Sequence, residues 1–292
     1  MRLVDGVTVG HWTDPEARTG CTVVRLPEGA TASGEIRGGS PASREFELLD
    51  PVRRVGRLDA VVLSGGSAFG LAVGSGVADA LGEAGIGFET PHGVVPIVVG
   101  MSLYDLGVGD ASVRPNAEHG RLALRAATTE PAVGRVGAGT GATVGKWRGP
   151  DHAIDAGLGI ATMTDGELAV SAVVAVNAVG DIDDGSDPAR IRDGASAWPL
   201  AVDPLGADLS TNTVIGVVVT NAVLDAGQCL VVAQGAHDGL ARAVFPPHMR
   251  SDGDGFVAAA TGEVEAPVDQ VRMLAVVAVE TAIRSTVGSL EG

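Results

Sequence analysis

Residues 210–221 read STNTVIGVVVTN, a polar opening followed by a β-branched run. Such a run predicts a buried strand, and it leaves Thr213 at the strand's threshold, directly behind Asn212. Upstream, residues 152–180 (HAIDAGLGIATMTDGELAVSAVVAVNAVG) contain two more long apolar strands joined at Asp165-Gly166, a turn pair suited to a tight hairpin. The intervening 181–211 holds many turn residues, several acids and few apolar periods, and reads as a linker-like segment. Downstream, 225–244 has helical spacing, 252–262 (DGDGFVAAATG) gives a turn and then a strand, and 268–287 a long final helix. Strands apolar on both sides, interspersed with helices, predict sheets covered on their outer faces by helices. One compact α/β unit spanning 1–292 is expected.

The first half fits the same scheme. VDGVTVGHW and CTVVRL read as early strands, and RGGSPASREFELLDP (37–51) as a loop entering a short helical turn. DAVVLSGG (59–66) is a strand with a glycine turn, and 67–85 a small-residue helix whose glycines permit close packing. VPIVVGMSLYDLG (95–107) is a strand and turn, and 115–129 is helical in spacing.

Apolar residues make up 45% of the chain, 43 residues are glycine and only 3% are aromatic, so the core is built from Val, Ala and Leu. The formal charge of −16 supplies no basic field for a nucleic-acid partner and suits a substrate bearing a free amine. The most apolar stretch, 168–179, is too short for a membrane span, and the start has no continuous apolar signal region. A cytoplasmic location follows as the expectation, with no membrane partner. Cys21 and Cys229 form neither a disulfide framework nor a metal spacing, and Cys229 falls in an apolar helical pattern as a core residue. No metal or cofactor is expected.

Two motifs invite functional readings that their spacing does not sustain. The glycine-dense loop 133–147 fails as a phosphate loop, because Lys146 is followed by Trp147, and Gly137–Ala142 opens no helix as a dinucleotide fingerprint would. SGGSAFGLA (64–72) turns a strand into a helix at Ser67, but Phe69 stands where a nucleophile elbow needs glycine. Ser67 is expected as a helix cap, with a Ser67-based serine hydrolase as an alternative.

Thr213 presents different chemistry. A threonine hydroxyl is a poor nucleophile until a base stands next to it. Cutting the Asn212–Thr213 bond would create an α-amine on the same residue, with a reference pKa of about 7.7–8.0, near working pH.

The motifs around Thr213 agree with that reading. NTVIGVVVTNA (212–222), AHDGLARAVFPPH (236–248), DGDGFVAAATG (252–262), RGGSPASREFELLDP (37–51), GGSAFGLA (65–72) and YDLG (104–107) together resemble the L-aminopeptidase/D-esterase (DmpA-like) family, whose relatives include β-peptidyl aminopeptidases and nylon-oligomer hydrolases. The resemblance runs through nearly the whole chain, with the motifs in order. It implies a four-layer αββα sandwich and self-cleavage before Thr213 into an α-chain of 1–212 and a β-chain of 213–292. It also implies hydrolysis of a small peptide or amide without cofactor, and assembly as a homotetramer of αβ units. By the same resemblance Thr213 is nucleophile and autocleavage residue with Asn212. Asp252 and Asp254 are the orienting acidic pair, and Lys146 is the cation beside them. Asn177 stabilises the oxyanion, and Tyr104 assists the tetrahedral intermediate. Relatives commonly read DGDT where this chain has DGDG, so Gly255 removes a hydroxyl near the proposed site. Self-cleaving acyltransferases of the ornithine-acetyltransferase type, and a non-catalytic small-molecule binder of the same fold, are the remaining alternatives.

Overall fold

The structure, a computed structural model, describes residues 2–186, 193, 194, 196 and 212–288. Ten strands form two five-stranded sheets. In chain order they are β1 (Thr8–Asp14), β2 (Thr19–Arg25), β3 (Thr31–Ile36), β4 (Ser43–Arg44), β5 (Ala60–Ser64), β6 (Val98–Ser102), β7 (Leu158–Asp165), β8 (Leu168–Asn177), β9 (Thr213–Ala222) and β10 (Gly255–Val264). The first sheet has the order β1-β2-β5-β6-β4 and the second β7-β8-β9-β10-β3. Pairing is antiparallel except for β5 with β6 and β9 with β10. Among the described residues, the helices that cover the sheets are α1 (Val73–Glu83), α2 (Ala117–Arg125), α3 (Ala226–Ala243) and α4 (Val268–Gly288).

Side-chain alternation assembles these elements into layers. Along β9, Ile215, Val217 and Val219 face Leu63, Val99 and Met101 of the first sheet, filling the space between the two sheets. Val214 and Val218 point the other way, onto a core made with Cys229, Val232 and Leu240 of α3 and Val279 and Ile283 of α4. On the far side, Val73, Val77 and Leu81 of α1 and Ala123 of α2 cover Val23, Val62 and Val98. The result is the expected four-layer αββα sandwich, with β9 buried on both faces. Cys229 is fully buried in the outer core. Among the described residues no helix is long and apolar enough to cross a membrane.

The helical stretch expected over 67–85 is divided. Ser67–Ala72 forms a 3-10 turn and the α-helix begins at Val73. Gly66 and Ser67 both have left-handed backbones, with φ of 81° and 54°, which turns the chain sharply off β5. Ser67 is not the cap it was expected to be: Gly66 occupies that position and no side chain caps the turn. The linker-like segment predicted over 181–211 lies mostly outside the described residues.

Glycine spacing in α1 sets how closely two helices approach. A Cβ on Gly76 would run into the backbone carbonyl of Ala117 in α2, whereas one on Gly82 would meet only Pro96 ring atoms at 3.7 and 3.8 Å. Gly76→Val is expected to lower unfolding free energy by about 2 kcal/mol or more through overpacking. Gly82→Ala is expected to raise it by about 0.5–1 kcal/mol through helix propensity. Urea unfolding of both variants checks the pair.

Candidate active site around Thr213

Sheet register brings the site together. In the β8/β9 ladder Asn177 is the cross-strand partner of Thr213, and both follow the alternation that faces the opposite sheet. On the other flank Asn212 forms a parallel bridge with Asp252, just before β10 begins. The chain is continuous through Asn212–Thr213, so this is the uncleaved geometry. The Thr213 hydroxyl donates to the Asn212 carbonyl oxygen, and the same oxygen accepts the Gly253 N–H at 3.0 Å.

Asp252 and Asp254 are each only 1% exposed. Buried carboxylates are costly unless hydrogen-bonded, and these are. Asp252 accepts the Val179 N–H at 3.2 Å through Oδ1 and the Met249 N–H at 2.8 Å through Oδ2. Asp254 accepts the Val214 N–H at 2.7 Å through Oδ1. Its Oδ2 takes the His248 N–H at 3.2 Å and the His248 ring Nδ1 at 2.8 Å. The turn is also braced from below by the RGGSP segment: Arg37 and Gly38 donate to the Asp254 carbonyl, and Ser40 to that of Asp252. Gly38 cannot carry a side chain, because a Cβ there would collide with the Asp252 carbonyl and the Asp254 nitrogen.

On the opposite flank, the Asn177 Oδ1 accepts Lys146 Nζ at 2.9 Å and the Thr143 N–H at 3.0 Å, and its Nδ2 donates to the Tyr104 carbonyl at 2.9 Å. Lys146 also reaches the Asn177 carbonyl at 3.3 Å. Tyr104 therefore joins the cluster through its backbone. Burial pulls the Lys146 ammonium down to about 7, with the charge of Asp252 acting against it. Burial, followed by the charge of Asp254, pushes Asp252 well above the usual carboxylate range, while the Met249 and Val179 N–H groups and Lys146 oppose the rise. Lys146 and Asp252 thus act on one another through charge, each opposing the shift that burial imposes on the other.

The other sequence candidates fall elsewhere. The Gly137 and Ala138 N–H groups are taken by the Thr13 and Thr22 hydroxyls, which leaves that loop no cradle for phosphate. The Ser67 hydroxyl has no histidine or carboxylate partner among the described residues. Nearby, Asp105 of the YDLG motif ties the Gly66 N–H and the Thr19 hydroxyl, each at 2.7 Å, so GGSAFGLA and YDLG meet as structure. A Cβ on Gly255 would lie 3.0 Å from Met101 Sδ and 3.4 Å from Ile36 Cγ1. The hydroxyl missing there thus belongs to the inter-sheet face, one pleat beyond Gly253. Sequence reasoning missed His248 and the Gly253 N–H. His248 stands in a quoted motif, six residues before Asp254, a spacing that matches no metal or triad pattern.

The model of peptidase family S58 matches residues 3–291. The chain belongs to this family. An uncharacterized aminopeptidase of Mycobacterium leprae is 42% identical over 291 residues, covering 90% of this chain and 78% of the relative. A 6-aminohexanoate-oligomer endohydrolase of Paenarthrobacter ureafaciens is 31% identical over 280 residues, covering 90% and 75%. Among solved structures, a Burkholderia sp. beta-aminopeptidase superposes with a TM-score of 0.72 at 25% identity, over 96% of this chain and 83% of that one. The L-aminopeptidase D-Ala-esterase/amidase of Ochrobactrum anthropi, described as a variant of the Ntn hydrolase fold, gives 0.68 at 20% identity over the same shares. The S58 protein is thus a hydrolase of peptide or other amide bonds, as the resemblance implied.

Lys146 gives this S58 site a measurable pH signature. Its folded-state value of about 7 lies below the unfolded value of about 10.4. Below pH 7 both states hold the proton, and burying the ammonium costs stability in full. Between about 7 and 10.4 the folded state has released its proton while the unfolded state still binds one, so stability rises with pH. Wild-type protein is expected to gain stability relative to Lys146→Met as pH rises through this interval. Parallel urea-unfolding curves for the two proteins from pH 6.5 to 9.5 would refute it.

Proposed function

We propose that the chain cleaves itself between Asn212 and Thr213, and that the released Thr213 is the N-terminal nucleophile of an aminopeptidase-like amide hydrolase. The observation that carries this reading is the Asn212 carbonyl, which receives the Thr213 hydroxyl on one side and the Gly253 N–H at 3.0 Å on the other. Nucleophile and oxyanion donor thus meet at the bond to be cut.

In the uncleaved chain, Oγ1 of Thr213 attacks the Asn212 carbonyl carbon, and the Gly253 N–H takes the developing oxyanion. The C–N bond breaks as the hydroxyl proton passes to the Thr213 nitrogen, leaving residues 1–212 esterified to Oγ1. Water then hydrolyses the ester, freeing an Asn212 carboxylate, the Thr213 hydroxyl and its α-amine. In the mature enzyme that amine accepts the hydroxyl proton during attack on a substrate amide and delivers it to the departing amine. A water molecule activated by the same amine clears the acyl-enzyme. Asp252 and Asp254 orient the Thr213 ammonium, and Lys146 offsets their charge. Asn177, with Tyr104, faces the oxyanion once the chain ends have separated.

For substrate, the acidic chain and the activities named for the relatives favour a short oligoamide or peptide with a free amine. A tetramer of αβ units is the proposed assembly. Intact mass of purified protein after incubation tests the central step. Wild type is expected to yield fragments of 212 and 80 residues, and Thr213→Ala to stay whole. A wild type that hydrolyses amides uncut, or an alanine variant that still divides, would overturn the proposal.

A further inference from the structure

We infer that His248 is a positioning residue of this site: its Nδ1–H locks the Asp254 carboxylate, and through it the start of β9, in the geometry from which Thr213 attacks. The inference rests on the self-cleavage reading above and assigns it a residue that the catalytic set lacks.

Asp254 is a two-ended clamp. One oxygen holds the Val214 N–H at 2.7 Å, immediately after the nucleophile, and the other is held by His248 through its N–H at 3.2 Å and its ring Nδ1 at 2.8 Å. An ionised carboxylate only accepts, so Nδ1 must carry the proton. The other ring nitrogen, Nε2, is buried with no hydrogen-bond partner among the described residues. A proton there would be an unsatisfied buried donor, so the geometry selects Nδ1 as the donor nitrogen. Behind it the His237 ring stands edge-on at 4.9 Å, its Nε2 against the Glu35 carbonyl at 3.0 Å, and burial pulls His237 down to about 3. His237 is thus neutral and adds no competing charge. Among the described residues, the charge of Asp254 acts on Asp252, which Lys146 opposes, and Arg37 and Asp238 act on His237 from behind.

The backbone gives a second sign. His248 has φ of 52°, in the left-handed region that residues with a Cβ occupy at a cost. That conformation aims both the N–H and Nδ1 at one Asp254 oxygen, and strain of this kind persists where surrounding contacts enforce it. Asparagine tolerates the same backbone and carries an N–H near the Nδ1 position, whereas phenylalanine keeps the ring volume without a side-chain donor.

The test compares His248→Asn and His248→Phe. Self-cleavage, followed on denaturing gels, is expected to slow at least tenfold in His248→Phe. His248→Asn, which restores a side-chain donor, is expected to stay within about threefold of wild type. A wild-type rate in His248→Phe, or an asparagine variant as slow as the phenylalanine one, would overturn the inference. A second measurement does not depend on cleavage. In a Thr213→Ala background, His248→Phe and Asp254→Asn should be non-additive by tenfold or more in the unfolding equilibrium, and additivity would overturn the clamp. Non-additivity in a protein whose wild type never cleaves would instead retain the clamp and refute the self-cleavage reading.

Discussion

The site depends on the position of one carbonyl. Asn212 leads into β9, and its oxygen lies between its own neighbour's hydroxyl and the Gly253 N–H. The first contact joins adjacent residues, whereas the second is made by the fold. Gly253 arrives from a turn 41 residues later because β10 runs parallel to β9, a pairing that short turns cannot make and that here spans α3. Thr213 is therefore located by sheet register, and β9, buried on both faces, has no freedom to slip: a one-residue shift would exchange its inter-sheet and helix-facing residues.

The cost of the arrangement is electrostatic. Two carboxylates on one turn, almost wholly removed from water, repel one another and lose hydration. Four backbone N–H groups and one histidine ring satisfy their oxygens, and the RGGSP loop supports the turn from beneath. The residual tension appears as a carboxyl pushed up at Asp252 and an ammonium pulled down at Lys146. An apolar turn would be more stable and chemically inert.

Much of this was legible in the sequence, for identifiable reasons. The β-branched runs at 168–177 and 213–222 could only be buried strands, and the long apolar period at 268–287 only a helix. β3 was not foreseen: TASGEI offers little apolar alternation, because Ser33 is buried by giving its hydroxyl to the Leu49 carbonyl at 2.6 Å and Gly34 lies beneath Phe46. The helix expected from 67 starts later because two left-handed residues bend its entry. Thr213, the two aspartates, Asn177 and Lys146 were found through resemblance, and the fold gathers them. His248 has no comparable signal, because its ring meets a carboxylate across a turn. Such a contact has no sequence period. It exists only once α3 has brought residue 248 back beside β10.

The central claim is that hydroxyl and base reside on the same residue after scission. Periodate tests this directly, since it cleaves an amine and hydroxyl on adjacent carbons and so converts an N-terminal threonine to a glyoxylyl group with loss of acetaldehyde and ammonia. In an active preparation, mass spectrometry is predicted to find the 213–292 chain converted at its first residue, with amide hydrolysis falling in proportion to the converted fraction. Full turnover in protein whose residue 213 has been completely converted would contradict the account.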